Sequence, residues 1–219
     1  MLQIVYIHIP KTAGSSVLSL FREIFQNDEI VQVKRDLFNR KPKTDPSRLL
    51  LDSIQPTTKV LHGHFTYNEL QLVIDRYPNA KIITFLRQPV DRVLSNYTFF
   101  KKRILTGRVD PSQKHRVDES LLTYARLPQS RNRMHSFLDG LKLNDLYFIG
   151  FVENFENDVK ALFQSLNLNI GNVPFINRNS IVTPSDLALT ESEIAQLNKL
   201  NHKDHLLYRK AIKMKRLQS

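Results

Sequence analysis

The sequence predicts an α/β fold, a single domain with a central parallel sheet flanked by helices. Three observations carry that expectation. Short apolar or β-branched runs alternate with amphipathic helical stretches, the pattern of parallel strands joined by right-handed crossovers. The chain of 219 residues is long enough for one sizeable core and short for two, so residues 1–219 are expected to form one domain. Loops of unusual chemistry follow three of the expected strands, and in open α/β sheets ligands bind outside the carboxyl ends of the strands.

Ile4 to Ile9 reads as a buried strand that breaks into Pro-Lys-Thr-Ala-Gly-Ser-Ser. Val17, Leu18, Leu20, Phe21, Ile24 and Phe25 then recur at the spacing of one helical face. "TKVLHGHF" is a second strand ending in a His-Gly-His turn, followed by a helical "NELQLVIDRY" that Pro78 closes. "AKIITFLRQP" is a third strand, and Pro89 sits where the helix "VDRVLSNYTFFKKRIL" begins. Tyr97, Phe99 and Phe100 fall at helical spacing on it and are expected to pack in the core. "LYFIGFVE" is a fourth strand, with "NFENDVKALFQSL" as its helix. Thr190 and Glu193 form a capping box before one long helix expected to run toward Leu217. No repeat, low-complexity tract or linker divides the chain.

Composition narrows the function classes. Hydrophobic residues at 41% and charged residues at 24% describe a globular chain rather than a disordered one. Cysteine is absent, which excludes disulfides, thiolate metal sites and a cysteine nucleophile together. No apolar run approaches the ~20 residues of a membrane span, and no leader pattern opens the chain, so a cytoplasmic setting is expected. The net charge is +11. Lys101 to Arg133 holds nine basic residues against three acids, and Lys34 to Arg48 six against two. With Pro42, Pro46, Gly107 and Pro111 as breakers, both stretches read as loops or helix ends, either a solvated basic surface or a site for a polyanion.

The first loop has the form of a strand, a tight turn and a helix N-terminus, which binds anions because the first amides of a helix lack internal partners. Lys11 supplies a charge, Gly14 lets backbone approach the anion, and Thr12, Ser15 and Ser16 add hydroxyl donors. Lys11 precedes the single glycine, so this is not a Walker loop. The third strand ends in Arg87 rather than in a magnesium-binding carboxylate, and Ser95 follows eight residues on, in the second turn of the helix. Arg87 offers a planar fork for phosphate oxygens and Ser95 a further hydrogen bond. Two separated anion sites result.

"HIPKTAGSS" resembles the 5′-phosphosulfate loop of sulfotransferases that use 3′-phosphoadenosine 5′-phosphosulfate (PAPS), and "FLRQPVDRVLSNY" resembles their 3′-phosphate motif. "HGHF" is similar to the heparan sulfate and uronyl 2-O-sulfotransferases of the carbohydrate group. "FIGFVENFENDV" and "DHLLYRKA" are similar to later stretches of that group. The resemblance touches residues 8 to about 212 and implies a P-loop-NTPase-like sulfotransferase fold. It implies that Lys11, Thr12, Ala13, Gly14, Ser15 and Ser16 hold the phosphosulfate and that Arg87 and Ser95 hold the 3′-phosphate. His64 is implied as the base, with His62 in a supporting or substrate-contacting role. The two histidines are expected to point to different sides of the strand, so that one at most faces the reacting centre. Two His at i, i+2 without a carboxylate or Cys partner make a poor zinc site, and no metal is expected. The remaining histidines, His8 among them, are given no chemistry. "INRNS", Ile176 to Ser180, is expected to close over the adenine or the 3′-phosphate.

The expected activity is therefore O-sulfation of an acidic glycan or another polyanionic acceptor, with no nucleic-acid partner and no membrane span. Two other classes remain open at this point, a non-catalytic heparin- or nucleic-acid-binding protein and a nucleotide kinase.

Overall fold

The computed structural model describes residues 1–40, 43–171, 173 and 185–218; the Ile176–Ser180 stretch lies outside them. The elements run β1 (Ile4–Ile7), α1 (Gly14–Ile24), β2 (Ile30–Val33), α2 (Asp36–Arg40), α3 (Pro46–Ser53), β3 (Val60–Gly63), α4 (Gln71–Arg76) and β4 (Lys81–Leu86). They continue with α5 (Pro89–Leu105), α6 (Leu121–Arg126), α7 (Arg133–Phe137), β5 (Phe148–Phe151), α8 (Phe155–Ser165), α9 (Glu191–Leu200) and α10 (His202–Gln218). Two compact units result, one of residues 1–86 and 134–176, the other of 87–133 and 177–219. Among the described residues no helix is long and apolar enough to cross a membrane.

The first unit is built on a five-stranded sheet in the order β2-β3-β1-β4-β5, parallel throughout. Alternation along each strand sorts the side chains to two faces. Ile4 and Tyr6 of β1, Val60 of β3, and Ile83 and Phe85 of β4 meet Val17, Leu20 and Phe21 of α1 and Val159, Leu162 and Phe163 of α8. Val5, Ile7 and Leu61, which alternate with these, are fully buried as well, so both faces are covered as expected. The edge strand β2 was not expected. Its four residues, Ile-Val-Gln-Val, are flanked by Asp28, Glu29, Lys34 and Arg35, and they become a strand by pairing with β3, Ile30 opposite Val60.

The basic stretch after β2 is more helical than its prolines suggest. Pro46 opens α3 at its first position, where a missing N–H costs nothing. The Asp45 carboxylate caps that helix, accepting from the amides of Ser47 at 2.7 Å and Arg48 at 3.1 Å.

The second unit packs α5 against α6 and α9 through Val90, Val93, Leu94, Leu121, Ala125 and Leu197. Pro89 opens α5 as expected, and the Gln88 side chain accepts from the Asp91 amide at 3.0 Å. Tyr97 and Phe100 each place their rings 5.5 Å from that of Tyr124, whereas Phe99 is 47% exposed and is not a core residue. The Lys101–Arg133 stretch comprises the end of α5, a 3-10 segment at Pro111–Asp118, and α6. The expected capping box forms, Thr190 Oγ1 accepting from the Glu193 amide at 3.2 Å. The single long C-terminal helix does not: it breaks at Asn201 into α9 and α10. The Asn132 side-chain oxygen accepts from the amides of Lys203 at 3.1 Å and Asp204 at 3.3 Å, and so caps α10 from 71 and 72 residues away.

Candidate active site

β1 ends at Ile7, and the chain turns into α1 through two left-handed non-glycine residues, Lys11 at φ 71° and Ala13 at φ 62°. Such conformations are uncommon away from glycine and cluster at ligand-holding turns. The Ile9 carbonyl closes the turn, accepting from the Thr12 amide at 3.3 Å and from Thr12 Oγ1 at 2.8 Å. Thr12 is fully buried, and its hydroxyl braces the loop through that bond. The amides of Gly14 and Ser15 stand in the first turn of α1, ahead of any intrahelical carbonyl, and the helix dipole adds positive potential there. Ser15 is exposed, Ser16 is buried, and Lys11 is half-buried.

Gly14 is required for a reason the sequence did not suggest. A Cβ at this position would lie 2.0 Å from Cδ2 of His8, so the His8 ring occupies the space of the missing side chain. His8 was given no role from the sequence, yet it stands at the centre of a three-imidazole cluster. Its ring centroid is 4.9 Å from that of His62 and 4.3 Å from that of His64. The signal for it lies in strand pairing: Tyr6 is opposite His62 in the parallel register of β1 and β3. His8 and His64, two residues further along each strand, therefore fall on the same face.

The same periodicity corrects the expectation that His62 and His64 point to different sides, because residues i and i+2 share a face. Depth separates them. His62 is 1% exposed and its Nε2–H donates to the Gly14 carbonyl at 3.2 Å, which leaves it a supporting place under the loop. His64 is half-buried, and its Nδ1–H donates to the His8 carbonyl at 2.8 Å. A carbonyl only accepts, so Nδ1 carries the proton and Nε2 keeps its lone pair when the ring is neutral. Burial above all, then the charge at His64, pushes the His62 imidazole down to about 3. Burial, with the neighbouring His62, His64 and Lys11, holds His8 well below the usual histidine range. Among the described residues no group of three or more His, Asp or Glu side chains is placed to hold a metal ion.

The second unit holds the other expected anion residues. Arg87 directly follows β4 in the chain and is 7% exposed. Ser95 on α5 is fully buried, and its Oγ has no hydrogen-bond partner among the described residues. Arg92, also on α5, is fully buried and was not singled out from the sequence. Its Nη2 donates to the Ser130 carbonyl at 2.6 Å, and its Nε lies 3.8 Å from Oδ2 of the equally buried Asp204. Burial pulls the Arg92 guanidinium down to about 10 against the opposing pull of Asp204.

A parallel sheet whose first strand turns tightly into the N-terminus of a helix, without Walker spacing, defines a P-loop-like fold. The chain belongs to the sulfotransferase family, whose model matches residues 2–211. Among solved structures it is similar to mouse sulfotransferase SULT7A1 complexed with PAP, at 14% identity and a TM-score of 0.52, over 90% of this chain and 62% of that one. The chain thus spans less than two thirds of the mouse protein's length. A sulfotransferase from Alicyclobacillus acidocaldarius aligns over 95% of this chain and 99% of its own, at 20% identity and a TM-score of 0.46. No curated protein matches the sequence.

Proposed function

We propose that this sulfotransferase moves a sulfuryl group from PAPS to a hydroxyl of a carbohydrate, the acceptor being an acidic glycan. The observation that carries the reading is the bond from His64 Nδ1 to the His8 carbonyl, which leaves Nε2 able to accept a proton one ring away from the anion loop. The residues suit such a donor. In the first unit, the first-turn amides of α1 with Ser15, Ser16 and Lys11 have the chemistry to meet a phosphosulfate; in the second, Arg87 and the buried hydroxyl of Ser95, which has no hydrogen-bond partner among the described residues, have the chemistry to meet a phosphate. Ala13 contributes backbone only. Thr12 acts by bracing the turn.

Bound there, the donor supplies a sulfuryl group on a phosphate leaving group. The acceptor oxygen forms a bond to sulfur as the sulfur–oxygen bond to phosphate breaks. His64 Nε2 takes the hydroxyl proton, and Lys11 neutralises the charge that the departing phosphate oxygen gains. By analogy with phosphoryl transfer the transition state is loose, so catalysis is mostly positioning and charge stabilisation. His62 holds the Gly14 carbonyl and touches no substrate. The two basic stretches, with surpluses of six and four against a total of +11, support an anionic acceptor steered by charge.

The test has two parts. Calorimetric titration with adenosine 3′,5′-bisphosphate should show tight binding that is indifferent to magnesium and weakened by Ser95→Ala. Magnesium-dependent binding of ATP in its place would point to a kinase instead. Transfer assays should then favour uronate-bearing or sulfated chains over neutral sugars and fall steeply with salt, since exposed charges are screened beyond ~10 Å at 0.1 M. Faster turnover on neutral acceptors would overturn the glycan assignment.

A further inference from the structure

We infer that His8 is a positioning residue, a wedge whose ring sets the spacing between the anion loop and His64; the inference rests on the reading of His64 as the base. His8 makes contacts toward both sides. Toward the loop, its ring fills the place of a Gly14 side chain, with Cδ2 at 2.0 Å and Nε2 at 2.2 Å from where a Cβ would stand. Toward the base, its ring lies 4.3 Å from that of His64 at an interplanar angle of 32°, and its carbonyl accepts the Nδ1 proton at 2.8 Å. Its own amide donates to the Gly63 carbonyl at 2.9 Å, which anchors the wedge to the end of β3.

The loop side is clamped from a second direction, because His62 Nε2 donates to the Gly14 carbonyl at 3.2 Å. Gly14 therefore cannot follow the His8 ring if that ring is removed, and the spacing is held by an object of fixed size. His8 is itself buried, 9% exposed, and takes no proton in the reaction. Its contribution is the separation of donor and base, and a misplacement of about 1 Å can cost a transfer rate about a hundredfold.

The test is a double-mutant cycle between His8 and Gly14. His8→Ala should lower kcat about tenfold or more while the affinity for adenosine 3′,5′-bisphosphate changes less than about threefold. His8→Phe, which keeps a ring and loses both nitrogens, should restore most of that kcat. Gly14→Ala alone drives a methyl group into the ring and should lower both melting temperature and kcat. Adding His8→Ala to it should recover part of each, a non-additivity expected only of groups that share one space. Wild-type kcat in a folded His8→Ala variant would overturn the inference, as would a His8→Phe variant no better than His8→Ala. If His64→Ala stays active, the base reading fails, while the His8–Gly14 coupling in melting temperature is unaffected; loss of that coupling fails the wedge alone. Should His8→Ala not fold, the comparison of His8→Phe with wild type and the melting of the Gly14→Ala pair decide the matter.

Discussion

The Gly14 carbonyl accepts a hydrogen bond from His62 Nε2 at 3.2 Å, across forty-eight residues of chain, and so ties the first turn of α1 to the end of β3. The bond joins a helix N-terminus to a buried neutral imidazole. It has a consequence for acid stability.

His62 has its imidazole pushed down from 6.5 to about 3 by burial, and His8 is lowered in the same direction. The unfolded chain therefore binds more protons than the folded one in acid. Stability should be fully present above about pH 6.5 and fall as the pH drops toward 3, at up to about 1.4 kcal/mol per pH unit for each group. Melting temperatures across that range should show the loss, and His62→Gln should flatten it. An unchanged slope would place the acid sensitivity elsewhere.

For His64→Ala the expected fall in kcat is about 10²–10⁴, the usual worth of a general base, with product affinity nearly unchanged. Only the unprotonated ring can take the acceptor proton, so kcat/KM should rise with pH, and that ascending limb should vanish in the variant. Chelators should leave both enzymes unaffected. Survival of the limb in His64→Ala and its loss in His62→Ala would reverse the two roles.

Lys11→Ala separates transition-state from ground-state binding. A charge that acts as the leaving oxygen becomes anionic should lower kcat far more than it weakens adenosine 3′,5′-bisphosphate. Single-turnover rates and calorimetry on one preparation decide it. Weakened product binding with turnover preserved would confine Lys11 to recognition.

Arg92 and Asp204 are both fully buried, and Asp204→Ala leaves the guanidinium without its counter-charge. A destabilisation of about 3–5 kcal/mol is expected from urea melts, against a much smaller loss when Arg92→Met is combined with Asp204→Leu. Equal losses in the single and double variants would mean that the pair's charge is not what matters.

Much of this protein was legible in one dimension. The β-branched or apolar runs of β1, β3 and β4, the Pro89 helix start and the Thr190–Glu193 box are local features, and local sterics and hydrogen bonding decide them. The Pro-Lys-Thr-Ala-Gly-Ser-Ser loop also shows itself, because its residues are consecutive. Strand β2 was not legible, since four residues between charged neighbours become a strand only beside β3.

The same distinction runs through the site. By itself the sequence determined the loop at residues 11–16, the His-Gly-His turn, and the Arg87–Ser95 spacing. Only the tertiary structure decided that His62 and His64 share a face at different depths, that Thr12 turns inward to the Ile9 carbonyl, and that Gly14 is needed because the His8 ring fills the space of its side chain. Each of these depends on the register that sets Tyr6 opposite His62, a pairing between residues more than fifty positions apart that no local pattern encodes.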